Sequence, residues 1–205
     1  FAPEPAQPAR PPASLVQAVV GPLRDFFRRP GALAMLALIF LYKFGDALAG
    51  TLTTTFLIRG AGFTPTEVGV VNKGFGLAAL LIGAFAGGAL MTRISLYRAL
   101  MLFGVLQAVS NLSFAGLALA DRSYGWLMFA VGFENLASGM GTSAFVAVMM
   151  SLCNVSFSAT QYALLSAIAS LGRVLFGPVT GIAVAALGWP VFFVITFIAA
   201  LPGLI

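Results

Sequence analysis

The stretch YKFGDALAGTLTTTFLIR, at residues 42–59, places charged and hydroxyl side chains inside an apolar run that begins near Ala32. Several of its residues recur at the spacing of a helix with about 3.6 residues per turn, so they share one face. They are Lys43, Asp46, Gly50, Thr53, Thr54 and Leu57. The remaining faces carry Leu, Ile, Phe and Ala. Inside a bilayer, such a polar face must point towards protein or a water-filled cavity.

The composition around this stretch is that of a membrane protein. Of the 205 residues, 60% are hydrophobic and only 8% are charged, and the mean hydropathy is +1.01. Soluble domains carry roughly 25% charged residues. Because a membrane-spanning helix needs about 20 mostly apolar residues, we predict an all-α membrane protein with six spans. The net charge of +5 does not indicate nucleic acid binding, since the basic residues are spread over short loops.

The apolar runs give the predicted bounds of the spans. They are residues 32–58, 67–90, 99–119, 124–150, 161–187 and a last span that begins near Val191 and is cut off. Glycines on one face of the second span predict close helix packing; they are Gly69, Gly76, Gly83 and Gly87. Gly177-Pro178 should bend or break the fifth span.

The chain divides into three predicted regions. Residues 1–13 are a Pro/Ala-rich linker. Residues 14–30 place apolar and arginine side chains on opposite sides, which predicts a helix in the membrane interface, broken near Gly21-Pro22. Residues 31–205 form the helix bundle. Because the chain lacks a starting Met and ends within an apolar run, we expect it to be part of a longer polypeptide.

The distribution of basic residues predicts the orientation. Arg24, Arg28 and Arg29 precede the first span, and Arg93 and Arg98 lie between the second and third spans. By the positive-inside rule, these regions are cytoplasmic. A single cysteine and no histidine leave no metal cluster, and we expect no cofactor. No carboxylate pair is spaced for catalysis, and no histidine can serve as a base, so we predict that the protein is not an enzyme.

Five ionisable residues remain inside the predicted spans, namely Lys43, Asp46, Lys73, Glu134 and Arg173. Each would cost about 2.5–3.5 kcal/mol at the centre of an isolated helix, so each must be paired or face water. One interpretation is a set of structural ion pairs, Asp46 with Lys73 and Glu134 with Arg173. The other is a path for a solute or a proton, which we favour because four helices bring such residues to similar depth.

Polar residues also share faces on the third, fourth and fifth spans. The sets are Gln107, Ser110 and Asn111; Glu134, Ser138, Gly141, Thr142 and Phe145; and Ser166, Ala169, Ser170, Arg173, Gly177 and Thr180. The fourth span contains the loose dinucleotide pattern GMGTSA at 139–144. We reject a nucleotide site there because the pattern follows no strand and lies within a span.

Several motifs resemble one family of transporters. Residues 88–93, GALMTR, with Arg98, resemble the loop signature of the major facilitator superfamily, with Thr92 where Asp is usual; Gly88, Arg93 and Arg98 carry the match. YKFGDALAGTLTTTFLIR, EVGVVNK (67–73), FENLASGMGTSAFVA (133–147), LCNVSFSATQYALLSA (152–167) and GRVLFGPVTG (172–181) are similar to the C-terminal half of AmpG-type muropeptide permeases. The similarity covers nearly everything from residue 22 onward.

This resemblance implies helices 7–12 of a twelve-helix facilitator in the bacterial inner membrane, completed by an N-terminal six-helix half. Such symporters import GlcNAc–anhydro-MurNAc peptides with protons for peptidoglycan recycling, and in many bacteria this import feeds β-lactamase induction. The expected partners are muropeptide, proton and the lipid bilayer. Alternatives are a facilitator for another solute such as acetyl-CoA, or a self-contained six-span membrane enzyme or structural oligomer.

Chemistry suggests which side chains would serve such a permease. Basic groups could bind carboxylates, and amides could bind sugars and peptide groups. The substrate-cavity candidates are Lys43, Asn72, Lys73, Gln107, Asn111, Asn135 and Arg173. Asp46 and Glu134 are the proton-coupling candidates. Our hypothesis is that Asp46 titrates and that Lys43 or Lys73 tunes it.

Overall fold

The structure is a computed structural model that describes residues 15–204. The predicted linker at 1–13 lies outside this described part. Eight α-helices follow one another, and no strand occurs among the described residues. They are α1 Leu15–Phe27, α2 Ala32–Thr55, α3 Pro65–Val70, α4 Leu77–Met91, α5 Leu96–Leu119, α6 Tyr124–Leu152, α7 Ser158–Leu187 and α8 Trp189–Ala200.

Short turns of other helical types extend these helices into membrane-length segments. A π-helical segment, Phe56–Gly60, continues α2, and another, Val71–Gly76, joins α3 to α4. Five segments are then long and apolar enough to cross a membrane. They are Ala32–Gly60, Pro65–Met91, Leu96–Leu119, Tyr124–Leu152 and Val155–Leu187, followed by the shorter apolar segment Trp189–Leu204. The first four predicted spans are therefore confirmed within three residues, and the fifth is confirmed with a start six residues earlier than predicted.

Two apolar clusters lie at opposite ends of the helices, with a polar layer between them. Along α5, Ala99, Leu100 and Phe103 belong to one cluster, and Phe114 and Leu117 belong to the other. The residues between these groups include the buried polar side chains Gln107, Ser110, Asn111 and Ser113. Along α2 and α6 as well, an apolar end is followed by a polar middle and a second apolar end.

Glycines allow α4 and α6 to cross at very short range. A Cβ atom at Gly83 would lie 2.2 Å from the carbonyl oxygen of Leu136, and one at Gly87 would lie 2.9 Å from the Cα of Met140. A Cβ at Gly76 would lie 3.1 Å from the side-chain nitrogen of Asn135. The packing predicted for the glycine face is confirmed at these three positions. At the fourth, Gly69, a Cβ would meet nothing within 4 Å.

The helix breaks predicted at the two prolines are absent, and a bend of the fifth span at Gly177-Pro178 stays a prediction. α1 continues through Gly21 and Pro22, and α7 continues through Gly177 and Pro178. A proline removes only one backbone donor from a helix, and tertiary contacts can outweigh that loss. In α1, the Pro22 carbonyl accepts a hydrogen bond from Gln161 Nε2 at 3.0 Å, which ties this turn to α7.

A polar cluster docks α1 on the start of α7. Asp25 Oδ2 accepts hydrogen bonds from Gln161 Nε2 at 2.8 Å and from Arg29 at 2.6 Å. Arg29 also donates to the backbone oxygen of Leu152. The hydrogen bond from Gln161, and then that from Arg29, lowers the pKa of Asp25 below its ordinary value. At the other end of the bundle, Arg122 Nη2 donates to both carboxylate oxygens of Glu67, at 2.7 and 2.8 Å.

Candidate functional site

A cavity of about 400 Å³ opens in the polar layer, where α2, α6 and α7 face one another. Its lining combines two cations, a carboxylate, four hydroxyls and one aromatic ring. The residues are Lys43, Asp46, Ala47, Ser138, Thr142, Phe145, Ser166, Ala169, Ser170 and Arg173. The polar faces predicted separately for the first, fourth and fifth spans therefore meet at one place.

Asp46 lies at the centre of the hydrogen bonding around this cavity. Its Oδ2 atom accepts from Lys43 Nζ at 3.3 Å and from Gln107 Nε2 at 3.1 Å. Lys43 Nζ also lies 5.7 Å from the ring centroid of Phe145, a distance typical of a cation–π contact. The Phe145 ring in turn stacks on Tyr42, with centroids 5.3 Å apart. These contacts hold the ammonium and the carboxylate together.

Both ion pairs suggested by the sequence are wrong. Asp46 pairs with Lys43, three residues earlier on its own helix, whereas Lys73 is exposed on the π-helical segment before α4. Within residues 15–204, Glu134 and Arg173 form no ion pair. Arg173 instead reaches α2, where its Nη2 lies 3.7 Å from the position of a Cβ on Gly50.

Glu134 is set back from the cavity wall. It lies one turn before Ser138 on α6 and is half-buried. It is near enough to Asp46 and Lys43 to interact with both electrostatically. The two proton-coupling candidates therefore lie in the same electrostatic environment, although only Asp46 lines the cavity.

Three amides expected in the cavity lie within the helix packing instead. Gln107 is buried and is bonded to Asp46. Asn135 donates to the Val131 carbonyl of its own helix at 2.8 Å and packs against Gly76. Asn111 is 1% exposed, and neither of its amide atoms has a hydrogen-bond partner in the described chain. Helical spacing gave the correct face for these residues, but it could not distinguish a neighbouring helix from a cavity.

The other predicted residues lie away from the cavity. Asn72 is half-buried in the π-helical segment before α4. In the loop motif, Arg93 and Arg98 are exposed, and a Cβ at Gly88 would meet nothing within 4 Å. Arg93 lines a second cavity of about 500 Å³ beside the end of α4.

Four hydroxyl residues complete the cavity but were absent from the predicted binding set. They are Ser138, Thr142, Ser166 and Ser170. Their helical periodicity was the available signal, since each shares a face with Glu134 or Arg173. Serine and threonine are common in membrane helices, where they also bond their own backbone, so residue type alone did not single them out. In the described residues, no group of three His, Cys, Asp or Glu side chains could hold a metal ion.

Membrane-length helices around a charged, hydroxyl-lined cavity define a multi-pass membrane protein with a polar site at mid-depth. Comparison with known proteins gives a more specific assignment, although no family model matches the chain. The chain is 57% identical over all 205 residues to the anhydromuropeptide permease of Escherichia coli K12, and covers 42% of that protein. It is 38% identical over 191 residues to a Rickettsia felis protein named as an AmpG 4 transporter, with 93% of this chain and 46% of that protein covered.

A third relative, named as an AmpG 1 transporter of Rickettsia prowazekii, is 33% identical over 173 residues, covering 83% of this chain and 39% of the relative. The chain belongs to the AmpG-type permease family. It spans less than half the length of these relatives.

Proposed function

We propose that this chain is the C-terminal half of a permease that imports anhydro-muropeptides together with protons across the bacterial inner membrane. One observation carries the proposal. A chain 57% identical along its whole length to an anhydromuropeptide permease encloses a polar cavity containing Lys43, Asp46 and Arg173. Import of this kind would serve peptidoglycan recycling and, through it, β-lactamase induction.

The cavity chemistry suits the ligand class. A muropeptide carries peptide carboxylates, sugar hydroxyls and amides. Arg173 presents a planar fork that matches a carboxylate, and Lys43 offers a second positive charge. Ser138, Thr142 and Ser166 can donate to or accept from hydroxyls and amides. The Phe145 ring provides an apolar surface beside these groups.

The remainder of the site is proposed to lie on an N-terminal six-helix half. Facilitators bind substrates near the bilayer midplane, between their two halves. The cavity volume of about 400 Å³ suits only part of a disaccharide peptide. In this arrangement α2 to α8 provide helices 7–12, residues 1–13 belong to the loop between the halves, and α1 lies at the cytoplasmic interface.

Proton coupling is assigned to the carboxylates of the polar layer. Asp46 contacts both a cation and the cavity, so its charge state affects any anionic ligand bound there. Protonation of Asp46 would release Lys43 to bind a ligand carboxylate, because the ion pair would be lost. Glu134 is the second candidate, because it interacts electrostatically with Asp46 and Lys43.

Uptake in cells tests the substrate. The chain, joined to its N-terminal half, would be produced in E. coli cells without their own permease, and uptake of radiolabelled anhydro-muropeptide measured. We expect uptake, and at least a tenfold loss on Arg173→Ala, which corresponds to about 1.4 kcal/mol of lost binding. Ser113→Ala serves as the control, because this buried hydroxyl bonds only its own helix. A correctly inserted protein without uptake would refute the proposed substrate.

A further inference from the structure

Gln107 connects α5 to the carboxylate at the cavity. Its side chain is 5% exposed, and its Nε2 atom donates to Asp46 Oδ2 at 3.1 Å. Lys43 binds the same oxygen. Within the described residues, both donors therefore occupy Oδ2, and Oδ1 accepts no hydrogen bond from the protein. Hydrogen bonds therefore hold the Asp46 carboxylate through Oδ2 and leave Oδ1 without a donor from the described residues.

Gly141 of α6 leaves the space that the Gln107 amide occupies. A Cβ at Gly141 would lie 2.1 Å from Gln107 Oε1 and 2.5 Å from Gln107 Cδ. Any side chain at this position would push the amide away from its place. Gly141 belongs to the GMGTSA stretch, whose other glycine, Gly139, lies so close to α4 that a Cβ there would overlap the Leu80 carbonyl oxygen. Gly139 thus allows the backbone of α4 to approach α6 closely, and Gly141 allows the amide side chain of Gln107 to do so.

We propose that Gln107 is a positioning residue, accommodated by Gly141, that keeps Asp46 Oδ2 occupied and leaves Oδ1 for the proton and the ligand. This inference rests on the proposed function of Asp46, which it deepens. A neutral amide suits the role, because it donates to the charged carboxylate without adding a charge.

Other charged or titratable groups surround Asp46 and would be unchanged by substitution of Gln107. Tyr42 and Lys43 lie on its own helix, Glu134 on α6 and Arg173 on α7. The helical part of α8 contains no charged residue, and α5 contributes only Arg98 near its start. A change in the protonation of Asp46 after substitution of Gln107 therefore reports on the hydrogen bond between them.

Carbodiimide labelling tests this role without relying on transport. The reagent couples to protonated carboxyl groups in apolar surroundings, and mass spectrometry reads the modified Asp46 peptide. In the full-length protein, Gln107→Leu should move the pH of half-maximal labelling upward, since one charge-assisted hydrogen bond to the carboxylate is lost. Gln107→Glu should also move it upward, because a second carboxylate lies beside the first. Ser113→Ala should leave it unchanged.

Gly141→Ala provides an independent variant. Alone, it should reproduce the upward shift of Gln107→Leu, because the new methyl group displaces the amide. In a Gln107→Ala background it should add nothing, as in a double-mutant cycle between contacting residues. Identical labelling curves for wild type, Gln107→Leu and Gly141→Ala would overturn the inference. Shifted curves in a protein that shows no proton-dependent uptake would uphold the positioning role and refute only the proposed coupling.

Discussion

Substitution of Gly83 by alanine should weaken the contact between α4 and α6. The added Cβ would lie 2.2 Å from the Leu136 carbonyl oxygen and 2.9 Å from its carbonyl carbon. These are backbone atoms, so no rotamer change can relieve the overlap, and the helices must separate by about 1 Å to reach van der Waals distance. Overpacking of this kind costs about 3 kcal/mol at the upper end. Replacing a helical glycine by alanine returns about 1 kcal/mol.

The expected net effect is a free energy of unfolding lower by about 2 kcal/mol, measured by SDS titration in mixed micelles. Gly88→Ala is the matched control on the same helix, because its Cβ would meet nothing within 4 Å. It should be neutral or stabilising by up to about 1 kcal/mol. Equal stability of the two variants would refute the close crossing of α4 and α6.

Three further predictions concern other parts of the chain. Asn111→Leu should raise the free energy of unfolding by about 1 kcal/mol, because it removes a buried amide without partners; a decrease in the same SDS titration would contradict this. Arg122→Gln should change the free energy of unfolding by less than about 1 kcal/mol, since the Arg122 side chain in the pair with Glu67 is 50% exposed. A larger loss of stability would contradict this. The Cys153 thiol, whose pKa burial raises, should react slowly with maleimide at pH 7 and faster after Asp25→Asn, which undocks α1. Because the folded pKa of Asp25 is lowered, its contribution to docking is present above its ordinary value of 3.8 and lost as the pH falls through the lower folded value. At pH 5 the wild type should therefore still react more slowly than Asp25→Asn at the same pH. Equal rates for the two proteins at pH 5 would contradict this docking.

The sequence was sufficient to predict the spans and the polar faces, because both depend on local patterns. Hydropathy gave the length of each apolar run, and helical spacing placed Asp46, Ser138 and Arg173 on inward faces. The pairing of charges could not be obtained in this way. Lys43 shares a helix face with Asp46 and Lys73 lies on the next span, so the sequence offers both as partners, and only the structure shows that Asp46 bonds Lys43.

Gln107 illustrates why the site itself was harder to predict. Its helix face was predicted correctly. Its hydrogen bond to Asp46, however, depends on Gly141 of another helix, which leaves room for the amide. Pattern rules describe one helix at a time, whereas this contact depends on the distance between two. The unbroken course of α1 through Pro22 has a similar origin, since Gln161 of α7 bonds the Pro22 carbonyl.

The most direct test of the account is uptake of anhydro-muropeptide by proteoliposomes that contain the full-length protein, with and without an acid-outside pH gradient. The account predicts accumulation against a concentration gradient only when the pH gradient is imposed, and loss of this accumulation in Asp46→Asn. Substrate exchange without a gradient should persist in that variant if it still binds ligand. Accumulation that is independent of the pH gradient, or that is retained in Asp46→Asn, would contradict the central role of this carboxylate.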